Sequence, residues 1–315
     1  MPAFNLTNST TYFRGHFVPF SQANVSIASS PFLYGLAIYT VFMGTWNADH
    51  GQVYLFRLRE HYDRLVTSAK IMDFTPVSSY LSFEEFQHVI TDLVRKNNVK
   101  EDVLVRAMIF VDELAAGTRV HGLKTDLAVY VYPMGEILPT AGAHVMVSSW
   151  TRTADNMIPS RAKVNGSYLN GTLMKNEALA AGYDDALSLD TAGHVAEGTV
   201  ANFFMVRGGT LITPSTSTDI LEGITRATIL QVASDLHIPA IERSIDRSEL
   251  YAADEAMFVG SSARVTPILS IDKRPVGTGA VGSVTKRISD QFHDMVTGLL
   301  AHNWLTPVYE RPASE

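Results

Sequence analysis

Phe86, Ile90, Leu93 and Val94 recur at three- and four-residue intervals through SFEEFQHVITDLVRKNN, residues 82–98. That rhythm sets them on one face of an amphipathic helix, and Ser82 followed three positions later by Glu85 is a capping-box start. QVYLFRLREHYDRLVTSAKIM, residues 52–72, runs from a strand into a second helix, with Leu58, His61 or Tyr62, Leu65 and Ala69 at helical spacing. TYFRGHFVPF reads as a hairpin turning at Arg14-Gly15. DVLVRAMIFV and DLAVYVYPM are β-rich strands on either side of the polar loop DELAAGTRVHGLKT. Residues 1–135 therefore form a small α+β domain. The Gly- and Pro-bearing stretch GEILPTAGA places an interdomain linker at 136–143.

A larger mixed C-terminal domain, 144–315, begins with the strand HVMVSSW. It continues through the helix GTLMKNEALAAGY, a strand pair around Gly208-Gly209 and the helix TRATILQVASDL. The helix DRSELYAA, the strand EAMFVG and the amphipathic helix VTKRISDQFHDMVTGLL complete it. Strands and helices do not alternate strictly, so a doubly wound parallel sheet is not expected and the class is α+β.

Composition narrows the function. A chain of 315 residues is long for one ordinary core and suits two packed lobes. A net charge of −7 with no basic run argues against nucleic acid. The absence of cysteine removes disulfides, thiolate metal sites and cysteine nucleophiles. Dispersed histidines without ligand spacing predict no metal. No apolar run is long enough to span a bilayer, and MPAFNLTNSTTYFRG lacks the basic-then-apolar order of an export signal, so a cytoplasmic location is expected.

The candidate chemistry is scattered. Lys163, in SRAKVNGSYLN, reads by itself as a solvated surface charge, the ordinary state of lysine. Glu197, in HVAEGTVANFFMV, precedes a strongly apolar run, where a carboxylate is expensive unless a cation meets it; a solvated turn is the alternative. In ILEGITRATIL a helix starts after Gly223, and its free N–H groups at Ile224 and Thr225 suit an anion, or Thr225 simply caps the helix. Arg64 can supply a permanent positive charge, and Ser261 and Ser262 in FVGSSARVTP offer a second small-residue turn. Together a lysine, a carboxylate, an arginine and two anion-binding turns are the protein parts that pyridoxal phosphate requires.

The segments KVNGSY, NEALAAGYDDALSLDTAGHVAEGTVANFF and LEGITRATI resemble the fold-type-IV (class IV) pyridoxal-phosphate aminotransferases, the branched-chain enzymes in particular. The resemblance runs in order from about Tyr12 to Phe292. It implies the two-domain, D-amino-acid-aminotransferase-like fold. It also implies a homodimer with its active site near the subunit interface, and pyridoxal 5′-phosphate as cofactor. By it Lys163 is the Schiff-base lysine and catalytic base, Tyr168 flanks the cofactor and Glu197 pairs with the pyridine nitrogen. Arg64, the N–H groups of Ile224 and Thr225, and Ser261 hold the phosphate.

The substrate side departs from the branched-chain pattern. FLYGLAIYTVFMGTW keeps Tyr34-Gly35 but has Tyr39-Thr40-Val41 and Met43 where branched-chain enzymes carry Phe-Glu-Gly and an arginine. Tyr-x-Val here is similar to (R)-selective amine transaminases. Arg106 stands where branched-chain enzymes place an arginine near the substrate carboxylate, with Leu104 in place of their tyrosine. Arg119 or His121 can swing toward a carboxylate from the polar loop, or remain exposed loop residues. Tyr34, Tyr39, Val41, Met134 and Trp150 are pocket candidates, Trp150 reading more readily as a core residue, and Ser262 is a further substrate contact. The expectation is a transaminase passing an amino group from an apolar amine or amino acid to a 2-oxo acid, with (R)-amine activity on a branched-chain-type scaffold. A plain branched-chain L-amino-acid aminotransferase is the alternative. D-amino-acid aminotransferase, aminodeoxychorismate lyase and a cofactor-binding protein without turnover stand behind it.

Overall fold

The structure, a computed structural model, describes residues 4–115 and 117–309. Strands β1 (Thr10–Phe13) and β2 (His16–Pro19) are joined by Arg14 and Gly15, both at positive φ, the two-residue turn whose twist matches a hairpin. After the short helix α1 (Ser30–Tyr34) come β3 (Ala37–Asn47) and β4 (Gln52–Phe56), then α2 (Leu58–Ile71) and α3 (Phe83–Lys96). Strands β5 (Val103–Val111) and β6 (Thr125–Pro133) follow. The capping box of α3 is present, Ser82 and Glu85 each accepting from the other's backbone N–H.

Strand β3 was not anticipated from the pattern. Ten of its eleven residues are buried, so no polar alternation betrays it. It pairs antiparallel with both β4 and β5, and β5 pairs with β6. Ile38 and Phe42 face the helices, in one core with Leu58, Tyr62 and Leu65 of α2 and Phe86 and Ile90 of α3. Tyr39 and Val41 take the other face. Met108 is opposite Tyr39, Arg106 opposite Val41, and Tyr130 opposite Arg106, so these five share it.

The second group of elements begins with β7 (Ala143–Val147), α4 (Tyr168–Ala180), β8 (Asp185–Leu189) and β9 (Val195–Gly198). It continues with β10 (Asn202–Arg207), β11 (Thr210–Thr213), α5 (Ile224–Asp235) and β12 (Ala240–Glu242). Then come β13 (Glu255–Gly260), β14 (Arg264–Ile271), β15 (Arg274–Pro275) and α6 (Ser283–Thr297). Among the described residues these strands run in the order β12-β11-β10-β13-β14-β7-β8-β9, and β9 pairs again with β10 through Glu197 and Asn202. The second pairing closes β10, β13, β14, β7, β8 and β9 into a ring.

Two local expectations differ. Residues Arg247–Ala252 form a 3-10 helix rather than an α-helix; only Leu250 is buried there, too little apolar surface to hold a longer one. Strand β7 ends at Val147: Ser148 still donates its N–H to the Leu187 carbonyl, but its hydroxyl and the Ser149 N–H turn to the Glu177 carboxylate. Trp150 is consequently 47% exposed and not a core residue.

The chain divides into two compact units, but not at a single cut. One contains the described residues within Met1–Gly135, Ala162–Gly166 and Asp294–Glu315; the other is Glu136–Arg161 with Ser167–His293. The expected linker 136–143 belongs to the second unit, where Leu138 and Ala143 join the core. Residues near the C-terminus return to the first unit through β16 (Leu305–Pro307), which pairs with β4 and completes the order β16-β4-β3-β5-β6-β1-β2. Lys163, expected in the C-terminal domain, also returns there. Its segment bridges β3 at Ile38 and Val164.

Candidate active site

In the first unit the backbone of Lys163 is clamped on both sides. Tyr39 N–H donates to the Lys163 carbonyl at 2.9 Å, and Lys163 N–H donates to Ser68 Oγ at 3.1 Å. Three residues on, Gly166 N–H donates to the Gly35 carbonyl. Gly35 has φ +67°, and a Cβ there would lie 2.7 Å from Gly166 Cα, so conformation and space both require glycine. The ammonium of Lys163 sits 4.9 Å from the centre of the Tyr39 ring.

Arg64 comes from α2, three residues after His61 and four before Ser68. Its Nη2 donates to Thr40 Oγ1 at 3.3 Å and lies 3.4 Å from His61 Nδ1. Thr40 Oγ1 and His61 Nδ1 are 2.7 Å apart. Burial first, then the charges of Arg64, Lys163 and Arg57, hold His61 well below the usual imidazole range, so it is neutral.

On the opposite face of β3 the Arg106 guanidinium lies 3.7 Å over the Tyr39 ring and donates to Asn165 Oδ1 at 3.3 Å. Tyr132, beside Leu104, keeps its hydroxyl proton, its pKa pushed up to about 12 by burial and the neighbouring Tyr130. Tyr34 is exposed, and Met134 is half-buried just past the end of β6. Arg119 is exposed. His121 hydrogen-bonds Asp73 at 2.7 Å on a surface where both side chains are more than two-thirds solvated. Neither is gathered with Arg106.

In the second unit Glu197 is buried on β9 and heavily donated to. Arg152 Nη2 is 2.7 Å from Oε1, Asn202 Nδ2 is 2.8 Å from Oε2, and the Leu221 N–H lies 3.3 Å from each oxygen. A buried carboxylate so placed stays ionised, which excludes the solvated-turn alternative. Asn202 also pairs with Val259 of β13, so Glu197, Asn202 and the 261–263 turn lie at one end of the ring. Gly223 caps α5 there. A Cβ on it would come within 1.9 Å of Asn202 Oδ1, which is why the helix start approaches so closely. No side chain caps α5, so Thr225 is not its cap, and Ile224 and Thr225 are the first residues of its dipole-bearing end. Ser261 and Ser262 are half-buried in the β13–β14 turn, and Tyr168 opens α4.

These residues fit pyridoxal phosphate. Each unit has a phosphate-compatible group, Arg64 in one and the α5 start in the other. The second also holds an ionised carboxylate able to keep a proton on a pyridine nitrogen. Sequence reasoning missed Arg152, Ser68 and Asn165, whose relevance comes from partners far along the chain, and also Asn202, which stands only five residues after Glu197. His61 stood in a buried stripe three residues before Arg64, a visible but unread signal. Among the described residues no cluster of histidine and carboxylate groups is arranged for a metal, and no helix is long and apolar enough to cross a membrane.

Comparison with known proteins converges on one family. Residues 42–271 match the family described as amino-transferase class IV. The chain is 40% identical over 304 residues to a probable branched-chain-amino-acid aminotransferase of Aquifex aeolicus, covering 95% of this chain and 97% of that one. It is 37% identical over 298 residues to the branched-chain-amino-acid aminotransferase of Escherichia coli K12, covering 93% and 94%. The crystal structure of a Thermoproteus uzoniensis branched-chain aminotransferase with norvaline superposes with a TM-score of 0.90 at 38% identity, covering 96% and 99%. That of the Thermobaculum terrenum enzyme in its pyridoxal-phosphate form also gives 0.90, at 33% identity and 97% and 100% coverage. With a lysine clamped beside β3, a buried ionised Glu197 and these similarities over nearly the whole length, the chain belongs to the class IV aminotransferases, pyridoxal-phosphate-dependent transaminases of fold type IV.

Proposed function

We propose that this transaminase is a branched-chain L-amino-acid aminotransferase with a 2-oxo acid as acceptor. The observation that carries the reading is the face shared by Tyr39, Val41, Met108, Tyr130 and Arg106. It sets a guanidinium among aliphatic and aromatic side chains, which suits one small molecule bearing a carboxylate and an apolar side chain. A donor without a carboxylate leaves that guanidinium without an anionic partner. The names of the relatives favour the same reading over the (R)-amine one. So does Thr40: its hydroxyl meets His61 on the α2 side of the sheet, so its difference from the branched-chain pattern lies away from the face of Arg106.

In this reading Lys163 takes the proton from the donor's α-carbon and returns it. Glu197 holds a proton on the ring nitrogen, while Arg64, the N–H groups of Ile224 and Thr225, and Ser261 bind the phosphate. Tyr168 flanks the ring. Arg106 and Ser262 receive the donor's carboxylate, and Tyr39 and Val41 line its side chain. Bound pyridoxal phosphate supplies the electron sink that makes the α-hydrogen acidic. The same reading makes the chain a homodimer. The run ending at Tyr34 exposes Ile27 by 78%, Phe32 by 66% and Leu33 by 53%, and it leads into Gly35, the neighbour of Gly166.

Initial rates with L-leucine, D-leucine and both enantiomers of 1-phenylethylamine, with 2-oxoglutarate as acceptor, test the substrate. L-Leucine is expected to exceed every other donor by at least about a hundredfold, the scale of a lost charge-assisted contact. A faster (R)-amine reverses the assignment. Lys163→Ala is expected to abolish turnover while leaving the fold intact by circular dichroism. Sedimentation velocity is expected to give a dimer.

A further inference from the structure

The trio Arg64, Thr40 and His61 has a directionality that its chemistry imposes. A guanidinium only donates, so Arg64 Nη2 donates to Thr40 Oγ1, 3.3 Å away. The Thr40 hydroxyl retains its own proton, and its acceptor at 2.7 Å is His61 Nδ1. Nδ1 must then be the bare nitrogen of a neutral imidazole, with Nε2 carrying the hydrogen. That assignment agrees with a ring buried to 2% exposure near the charges of Arg64, Lys163 and Arg57. Protonation of Nδ1 would point two donors at each other and set a second positive charge 3.4 Å from Arg64 Nη2. The chain of bonds starts on α2, crosses to β3 and returns to α2 one turn before Arg64. It ties the arginine to the strand that also holds Lys163, through the Tyr39 N–H bond to the Lys163 carbonyl. Both supports are uncharged, so they fix the direction of the guanidinium without cancelling its charge.

We propose that Thr40 and His61 are positioning residues for cofactor binding, a neutral relay that aims the Arg64 guanidinium at the phosphate of pyridoxal phosphate. The proposal rests on the reading of Arg64 as a phosphate ligand. A relay of this kind acts on the phosphate and not on the ring. Its signature is therefore a loss of affinity for pyridoxal phosphate with no matching loss for pyridoxal, the same molecule lacking the phosphate.

The experiment measures dissociation constants of pyridoxal phosphate and of pyridoxal by equilibrium dialysis, on full-length protein stripped of cofactor. Thr40→Val keeps the shape and removes the hydroxyl; His61→Phe keeps a ring and removes the acceptor. Each is expected to weaken pyridoxal phosphate binding about tenfold, the scale of one net hydrogen bond to a charged group. Pyridoxal binding is expected to stay within about twofold. Thr40→Ser and His61→Asn, which restore a hydroxyl and an acceptor near the Nδ1 position, are expected to recover most of the loss. In an Arg64→Ala background Thr40→Val is expected to add nothing, because the arginine it aims is gone. Equal losses for both ligands, or an undiminished Thr40→Val effect without Arg64, would mean a general structural role and overturn the proposal. Unchanged binding in Thr40→Val with a large loss in Arg64→Ala also overturns it while sparing Arg64. Unchanged binding in Arg64→Ala instead removes the phosphate reading itself. If His61→Phe fails to fold, the Thr40→Val and Thr40→Ser pair decides the matter.

Discussion

A carboxylate stripped of water keeps its charge only where donors replace that water, and Glu197 has Arg152, Asn202 and the Leu221 N–H. Glu197→Gln preserves the shape and removes the charge proposed to keep a ring nitrogen protonated. Its kcat is expected to fall by at least about a hundredfold while cofactor still binds, measured by steady-state rates and absorbance. An unchanged kcat would reduce Glu197 to a packing residue. Arg152→Ala is a separate test, because it leaves the carboxylate buried without its cation. A stability loss of about 3 kcal/mol is expected by urea titration. Glu197 was legible in the sequence because an acidic residue beside VANFFMV invites a question about its partner. Arg152 was not, because nothing local to TRTADN marks it as that partner 45 residues away. Arg119 and His121 present the opposite case. A charged loop invites a functional reading, while the described loop residues leave Arg119 exposed and His121 hydrogen-bonded to Asp73.

Among elements, α5 is the helix whose start is proposed to bind the phosphate. Gly223 has φ −71°, which any residue adopts, so its requirement is space alone. Gly223→Ala puts a methyl into Asn202 Oδ1 and displaces the side chain that holds both Glu197 and the Leu221 carbonyl. The variant is expected to lose both cofactor affinity and kcat, by about tenfold or more each, where a simple capping change would cost only a few tenths of a kcal/mol in stability. Titration of the variant with pyridoxal phosphate, followed by rates at saturation, separates the two losses. Helices α2 and α3 were readable because one apolar face against solvent imposes a 3.6-residue rhythm. Strand β3 was not, since a strand covered on both faces carries no alternation.

At the scale of the whole molecule, protons couple to stability in two windows. His61 is held neutral by burial, so its unfolded form, with a pKa near the ordinary 6.5, binds a proton that the native form refuses. Stability is complete above about pH 6.5 and falls as the pH drops below it, by up to about 1.4 kcal/mol per unit. Glu249, held near 2 by Arg243 and Arg207, contributes stability above its ordinary value of about 4.5, and this is lost as the pH falls toward 2. Asp185, pushed up by burial, acts with the opposite sign. Thermal melts from pH 8 to 5 are expected to show a shallower acid slope for His61→Asn than for the parent chain. Parallel slopes would mean that the imidazole is charged in the native state.

The amino-acid sequence by itself determined the fold class, the pyridoxal-phosphate chemistry and most of the residues proposed to touch the cofactor. Those signals are local: a helical rhythm, a glycine before a helix, a carboxylate against an apolar run, and short motifs kept in order. Only the tertiary structure decided the partition of the chain. Residues 162–166 return to the first unit because Val164 bridges β3, and the chain near the C-terminus returns because β16 pairs with β4. It also placed Thr40 with Arg64 on one face of β3, and Tyr39 and Val41 with Arg106 on the other. Such assignments depend on hydrogen bonds and strand registers between residues tens of positions apart, which no local pattern encodes.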